Sequence, residues 1–157
     1  MTREVLVFLH MDDKNSGYIG DYFQRQKIPF RIIRSYADEA VPRLDGSIAG
    51  LVFMGGVMSA NDDISWIKQE IDLIRAAVQA NIPVLGHCLG GQLISRALGS
   101  PVTSNPVGEV GWHQCFKQNN SRSVEWLGDI DNPFMMFHWH YETFAIPDKA
   151  QLLFSSD

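Results

Sequence analysis

Short apolar runs alternate with amphipathic, helix-like segments through the N-terminal part of this chain. Three of the runs have the length of buried strands, at Val5 to Leu9, Phe30 to Ile33 and Ala49 to Met54. The clearest helical segment runs from about Asp63 to Ala80, and its apolar face would carry Ile64, Ile67, Ile71, Ile74 and Val78. Because continuous apolar strands need cover on both faces, this alternation predicts a parallel sheet between two layers of helices.

The predicted fold class is therefore α/β, a three-layer, flavodoxin-like arrangement with a mainly parallel sheet and helices on both faces. The pattern changes after Gly99, where Val110 to Phe116 and Phe134 to Trp139 are predicted strands and Lys117 to Arg122 is a polar turn. We expect this second half to add an antiparallel β-hairpin edge to the sheet. A further strand is predicted to begin at Leu152 to Phe154.

Both ends of the long helix are marked in the sequence. The side chains of Asn61, Asp62 and Asp63 are of the kind that caps helix N-termini. At the other end, Asn81 can take the left-handed conformation that terminates helices, and Pro83 follows it closely. We expect the helix to begin and end at these residues.

Length and charge narrow the functional classes. A chain of 157 residues predicts a single domain over residues 1–157. The net charge of -5 shows no electrostatic footprint for nucleic acid, and no apolar run approaches membrane-spanning length. The two cysteines, Cys88 and Cys115, come without an export signal, and this predicts a reducing, cytoplasmic location.

The segment GHCLGGQ, from Gly86 to Gln92, has the layout of a nucleophile elbow. An apolar run at Ile82 to Leu85 precedes it and a helical pattern follows it, so Cys88 falls on a strand-to-helix turn. Such a turn is sharp and strained, and the small residues Gly86 and Gly90 would let main-chain segments pass close to one another.

The position of Cys88 also suggests its chemistry. A thiol at a helix N-terminus feels the positive end of the helix dipole, which favours the nucleophilic thiolate. The backbone N–H of Leu89, just after the cysteine, is placed to bind an oxyanion. The alternative is that Cys88 is a small buried apolar residue, and the strand-to-helix setting with both glycines favours the catalytic interpretation.

Four segments together resemble the class I glutamine amidotransferases over nearly the whole chain. They are FMGGVMSAND from Phe53, GHCLGGQLISRALG from Gly86, EVGWH from Glu109 and FHWHYETFAIP from Phe137. The resemblance is greatest to amidotransferase-like proteins related to the glutaminase domain of GMP synthetase. It implies that glutamine is hydrolysed through a thioester on Cys88 and that the ammonia passes to a synthetase.

The resemblance also assigns roles to individual residues. Cys88 would attack the amide carbon, while the backbone N–H groups of Leu89 and of the turn at Gly55 and Gly56 would hold the oxyanion. The implied substrate-binding residues are Gln92, which would contact the bound glutamine, and His140 and Tyr141, which would line the pocket for its amino-acid end. No cofactor is implied.

One part of the family pattern is missing, because no His-Pro-Glu motif occurs in the sequence. In the family this motif supplies the general base and the acid that orients it. We therefore expect the chain to be a C-terminally truncated amidotransferase domain that is inactive alone. His140 and Glu142 have the same His-x-acid spacing and form a fallback base pair.

The remaining histidines and cysteine suggest structural roles. His138 and His140 lack carboxylate or cysteine companions at ligand spacing, so no metal site is expected. His113 and Cys115 share one face of a predicted strand and are expected to be ordinary sheet neighbours. His10 ends the first strand and is predicted to lie on the rim of the active edge.

Two other functions stay open at the level of sequence. A γ-glutamyl peptidase or hydrolase of the same fold would use the same kind of cysteine elbow. A non-catalytic module that binds glutamine or a partner protein would explain the missing motif. The expected partners are glutamine and a synthetase or other amide acceptor, and the oligomeric state is open, with a symmetric homodimer common among small proteins.

Overall fold

The computed structural model describes residues 2–12 and 16–156, which fall into two units, Met1–Gly99 and Ser100–Asp157. The strands of the first unit are β1 (Glu4–Leu9), β2 (Phe30–Arg34), β3 (Ile48–Phe53) and β4 (Val84–Gly86). Its helices are α1 (Gly17–Arg25), α2 (Ser65–Gln79) and α3 (Leu89–Ala97), with a short 3-10 turn at Ser35–Ala37. The second unit contains β5 (Val102–Lys117), α4 (Ser121–Leu127), β6 (Phe134–Phe144) and β7 (Phe154–Ser156).

The first unit is built on a parallel sheet of four strands in the order β2-β1-β3-β4. In the register of the two central strands Val7 pairs with Val52, and at the C-terminal end of β3 Phe53 pairs with Gly86 of β4. Helices α1 and α2 form the crossovers from β1 to β2 and from β3 to β4, whereas a 3-10 turn and irregular chain join β2 to β3. The α/β class and the mainly parallel sheet are therefore confirmed.

Side chains that alternate along the strands fill the two faces of this sheet. On one face Val7 and Val52 are buried, with Ile19 and Phe23 of α1 packed against them. On the opposite face the rings of Phe8 and Phe53 stack with centroids 4.6 Å apart. Helix α3 passes close to Phe53 on this side, and α2 packs against α3, so helices cover both faces as expected.

Helix α2 shows the predicted periodicity with two differences at its ends. Its inner face is buried at Ile67, Ile71 and Ile74, whereas Val78 is 41% exposed and does not belong to the core. The predicted cap residues at its start are not used: the N-cap is Ile64, which makes no side-chain cap bond. Asp62 instead accepts a hydrogen bond from Ser59 N, and Asp63 pairs with Lys68.

At the other end of α2 the prediction is confirmed. Asn81 has φ of +55°, in the left-handed region. Its N–H donates to Val78 O at 3.1 Å, and the next N–H, of Ile82, donates to Ala77 O at 2.9 Å. These bonds satisfy carbonyls of the last helical turn and direct the chain into β4.

The second unit is an antiparallel sheet of three strands in the order β6-β5-β7. The antiparallel pairing is as expected, but these strands form a sheet of their own. Strand β5 is longer than predicted, and its pairing with β6 is irregular between Ser104 and Glu109, where Pro106 has no N–H to donate. The segment predicted as a polar turn leads into α4, whose N-cap, Asn120, accepts from Ser123 N at 2.9 Å.

Candidate active site

Cys88 lies on the tight connection between β4 and α3. Strand β4 ends at Gly86 and the helix begins at Leu89, so only two residues join them. The cysteine has φ of +53° and ψ of -113°, a conformation that few non-glycine residues adopt and that concentrates at functional sites. Its side chain is exposed. The chain therefore presents a thiol at the first turn of a helix, as the motif predicts.

Two glycines make this turn possible. A Cβ on Gly86 would lie 2.5 Å from the carbonyl carbon of Gly90. A Cβ on Gly90 would overlap the carbonyl group of Phe53 in the neighbouring strand. Since neither position has room for a side chain, helix α3 can approach the sheet only with glycine at both.

A second turn, after β3, lies beside the cysteine. A Cβ built on Gly55 would be 3.4 Å from the Cβ of Cys88 and 4.0 Å from its Sγ. A Cβ on Gly56 would be 2.8 Å from Leu89 Cδ2. The structure thus brings together the four residues to which the family resemblance assigned nucleophilic attack and oxyanion binding. The pairing of Phe53 with Gly86 explains this, because both turns start at one level of the sheet.

The oxyanion role of the amides around Cys88 stays a prediction. Leu89 is the first residue of α3, and the first N–H groups of a helix have no partner within the helix. Two amides further along α3 already donate hydrogen bonds: Gly90 N donates to His87 O at 3.0 Å, and Gln92 N donates to Cys88 O at 3.2 Å. The side chain of Gln92 is only 6% exposed, and its contact with glutamine stays a prediction.

In the second unit, the carboxylate of Glu109 lies between two histidine side chains. Glu109 Oε2 is 2.9 Å from His138 Nδ1 and 3.0 Å from His140 Nε2. Partial burial opposes ionisation of Glu109, but the hydrogen bond from His138 and the nearby imidazoles outweigh it and hold the pKa of this carboxyl below its ordinary value. Glu109 is directly opposite His140 in the β5–β6 register, a pairing that sequence spacing does not reveal.

Two neighbours of His140 along β6 make defined contacts: Tyr141 packs over Gly108, and Glu142 contacts His140 through its main-chain oxygen. The Nδ1 atom of His140 is 3.1 Å from the main-chain carbonyl oxygen of Glu142, and its Nε2 atom is at ion-pair distance from the Glu109 carboxylate. The ring of Tyr141 covers Gly108, where a Cβ would be 2.6 Å from Tyr141 Cε1. Tyr141 is 64% exposed. The substrate-binding and fallback base roles of these residues stay predictions.

Among residues 2–12 and 16–156, the same three side chains form a group that could hold a metal ion. Donor atoms of Glu109, His138 and His140 all lie within 4.8 Å of one another. The sequence argument that the two histidines lack a carboxylate companion was therefore wrong, because the neighbouring strand supplies one. A hydrogen bond joins His138 to Glu109, and His140 lies at ion-pair distance from the same carboxylate.

His113 and Cys115 are sheet neighbours, as predicted, and both contact His138. The rings of His113 and His138 stack with centroids 4.8 Å apart, and Cys115 Sγ is 3.7 Å from His138 Nε2. Burial, with a smaller contribution from the Glu109 carboxylate, raises the pKa of the Cys115 thiol. This thiol is therefore less readily ionised than an ordinary cysteine.

The expectation for His10 was wrong. It lies at the end of β1 but has no exposed surface, because its ring stacks on Trp66 with centroids 5.0 Å apart. Its Nδ1 is 2.9 Å from Met54 O and its Nε2 is 2.9 Å from Glu70 Oε2. Sequence reasoning missed Glu70, although a carboxylate within the apolar face of α2 was a visible signal.

The chain matches the family model of the class I glutamine amidotransferases over residues 10–157, and it belongs to that family. It is 31% identical over 129 residues to the glutamine amidotransferase-like protein YfeJ of Salmonella typhimurium, covering 79% of this chain and 54% of that protein. A glutamine amidotransferase structure from Methylobacillus flagellatus superposes with a TM-score of 0.95 and 38% identity, covering all of this chain and 63% of that one.

A synthetase also appears among the relatives. GMP synthase [glutamine-hydrolyzing] of Clostridium perfringens is 29% identical over 109 residues, which cover 69% of this chain and 20% of that enzyme. The chain thus spans about half the length of YfeJ and a smaller part of the synthase. Within residues 2–12 and 16–156, no helix combines the length and apolar character that a bilayer crossing requires.

Proposed function

We propose that the protein hydrolyses the side-chain amide of glutamine to glutamate and ammonia, with Cys88 as the nucleophile. The observation that carries this proposal is the positive φ of Cys88 on a strand-to-helix turn, with Gly55 of a second turn beside its thiol. Attack on an amide needs an activated nucleophile and donors aimed at the developing negative charge. Membership of the amidotransferase family supports the choice of reaction.

In the proposed reaction the Cys88 thiolate forms a bond to the amide carbon, and the carbonyl electron pair moves onto oxygen. The amide N–H groups of Leu89 and of the turn at Gly55 and Gly56 bind that oxyanion. Collapse of the intermediate breaks the C–N bond, and the leaving nitrogen takes up a proton to depart as ammonia. Water then adds to the thioester, releases glutamate and restores the thiol.

The proton transfers need a base, and the His-Pro-Glu motif of the family does not occur in the sequence. His140 with Glu142 is the fallback, and the ion pair between His140 and Glu109 would favour one position of the ring in either role. Replacing His140 with alanine separates the roles in a kinetic measurement. A rise in KM alone indicates a substrate contact, whereas a loss of kcat indicates a base.

We propose that Gln92, His140 and Tyr141 contact glutamine and that the ammonia is delivered to a synthetase or another amide acceptor. The substrate-binding assignments follow from the family resemblance. The similarity to a glutamine-hydrolysing GMP synthase supports an acceptor of this general class. Neither a metal nor a cofactor takes part in the proposed reaction.

Ammonia release from glutamine tests the proposal. The assay uses the full gene product, because this chain spans about half the length of the curated relative YfeJ. We expect release that is abolished by Cys88→Ser, with a γ-glutamyl thioester on the wild-type protein visible by mass spectrometry. A marked preference for γ-glutamyl dipeptides would identify a γ-glutamyl hydrolase instead. Glutamine binding without turnover would identify a binding module.

A further inference from the structure

Three buried polar side chains form a chain of hydrogen bonds behind the turn that follows β3. Ser35 Oγ donates to Glu70 Oε1 at 2.5 Å, and Glu70 Oε2 is 2.9 Å from His10 Nε2. The other ring nitrogen of His10 is 2.9 Å from the main-chain oxygen of Met54. None of the three side chains has exposed surface. The network therefore ends on the residue immediately before Gly55.

The geometry determines where one proton lies. A carbonyl oxygen can only accept a hydrogen bond, so His10 Nδ1 must carry a proton and donate it to Met54 O. The second shared proton lies between His10 Nε2 and Glu70. Trp66 stacks on the ring at an interplanar angle of 7°, so both stacking and hydrogen bonding hold the imidazole in a single orientation.

His10 also touches the far side of the same turn. A Cβ built on Gly56 would lie 2.8 Å from the Cβ of His10. The histidine is thus bonded to the residue before Gly55 and packed against the residue after it. Gly55 itself is the residue beside the Cys88 thiol. His10 therefore contacts the turn on both sides of Gly55.

A simple packing role does not require such a network. Burying a carboxyl, an imidazole and a hydroxyl is costly unless each is hydrogen-bonded, and an apolar side chain could fill the same volume. What an apolar residue could not do is donate to the Met54 carbonyl and fix the orientation of that peptide. Orientation of peptide dipoles is what an oxyanion site depends on.

We propose that His10, oriented by Glu70 and Ser35, is a positioning residue that holds the turn at Gly55 and Gly56 in its oxyanion-binding geometry. It acts through the turn and makes no contact with the reacting atoms. The inference rests on the proposed function, in that Cys88 is taken as the acylated nucleophile. It adds a buried set of residues on which the rate of acylation depends.

Two substitutions of His10 separate its two hydrogen bonds. In His10→Asn the amide nitrogen can occupy the place of Nδ1 and still donate to Met54 O, whereas in His10→Gln it occupies the place of Nε2 and reaches only Glu70. We expect the asparagine variant to retain kcat within about threefold. The glutamine variant should lose about 10- to 100-fold, the scale expected for a misplaced catalytic group.

Two variants with smaller changes test the inference if substitutions of His10 prevent folding. Ser35→Ala removes the hydroxyl that orients Glu70, and Ser123→Ala removes a matched buried hydroxyl of the second unit, which donates to Leu153 O. We expect the first to lower the acylation rate severalfold and the second to leave it unchanged. Glu70→Gln can keep the whole chain of hydrogen bonds and should stay close to wild type.

The readout compares two reactions of Cys88 in the full gene product. Acylation, by glutamine or by p-nitrophenyl acetate, passes through an oxyanion, whereas alkylation by iodoacetamide does not. We expect the His10→Gln and Ser35→Ala variants to be slow only in acylation, with KM for glutamine unchanged. Equal loss in both reactions, or acylation at the wild-type rate in both variants, would overturn the inference.

The two substrates also keep this inference distinct from the proposed function. If the wild-type protein is acylated by the ester but releases no ammonia from glutamine, the glutaminase assignment fails while the ester rates still decide the role of His10. If neither substrate acylates Cys88 in the wild-type protein, both proposals are wrong.

Discussion

Gly90 lies so close to Phe53 that a methyl group on its Cα would overlap the Phe53 carbonyl group. This contact joins the first turn of α3 to the end of β3 and brings the helix that follows Cys88 onto the sheet. The glycines of the motif are therefore required by packing as well as by the chemistry of the turn.

A Gly90→Ala substitution should lower the free energy of unfolding by about 1–3 kcal/mol, because the added methyl group overpacks a site with no free space. Urea denaturation measures this change. Gly46→Ala is the matched control, since a Cβ there meets no atom within 4 Å. Equal stability of the two variants would contradict the observed contact.

The two cysteines should differ in reactivity toward iodoacetamide near neutral pH. Cys88 is exposed, whereas Cys115 is 1% exposed and its pKa is raised by burial and by Glu109. A raised pKa keeps the thiol protonated, and the protonated form is the unreactive one.

Peptide mapping of the folded protein should find the label on Cys88 alone, and in urea on both cysteines. The Cys88→Ser variant should take no label while folded. Comparable labelling of Cys115 in the folded wild-type protein would show that its surroundings are more open than described.

The pH dependence of stability should change when Glu109 is replaced by glutamine. Because the folded-state pKa of Glu109 lies below its ordinary value of 4.5, the ionised carboxylate stabilises the native state above that pH. This contribution is lost as the pH falls through the folded-state pKa. The wild-type free energy of unfolding should therefore decrease more steeply over this window than that of Glu109→Gln.

Urea unfolding from pH 7 to pH 3, an interval that spans the ordinary carboxyl range, measures both curves. Asp45 and Asp63, whose pKa values Ser47 and Lys68 lower, are present in both proteins. Their contributions cancel when the free energy of unfolding of Glu109→Gln is subtracted from that of the wild-type protein. Parallel curves would mean that the histidines do not favour the charged form of Glu109.

Replacement of Asn81 by alanine should destabilise the first unit by about 1–2 kcal/mol. The φ of +55° at this position costs a residue with an ordinary Cβ about that much, whereas glycine adopts it freely. Thermal unfolding of Asn81→Ala and Asn81→Gly should place the glycine variant at or above wild type. The opposite order would contradict a left-handed end to α2.

Local signals in the sequence were sufficient for the parallel sheet, its helices and the turn at Cys88. Each of these signals is a pattern among residues that are close together in the sequence. They are the apolar runs, the spacing of Ile67, Ile71 and Ile74, and the glycines around Cys88. The grouping of Gly55 with Cys88 also followed, because parallel strands end at a common edge.

The missed features depend on contacts between distant parts of the chain. The partners His10 and Glu70 are 60 residues apart, and a histidine at the end of a strand suggests an exposed rim until its partner is known. Glu109 meets His140 only through the strand register. The caps predicted for α2 were wrong: Asp62 accepts a hydrogen bond from Ser59 in the same loop, and Asp63 pairs with Lys68 of the helix.

The pairing of Phe53 with Gly86 makes the candidate chemistry sensitive to changes made well away from it. Deleting one residue from the middle of β3 would leave both glycine turns intact in sequence, yet would draw one of them back by about 3.3 Å and reverse the faces of the strand. Strand length is thus a constraint on the proposed reaction, and sequence changes that keep every motif can still separate the Cys88 thiol from the proposed oxyanion donors.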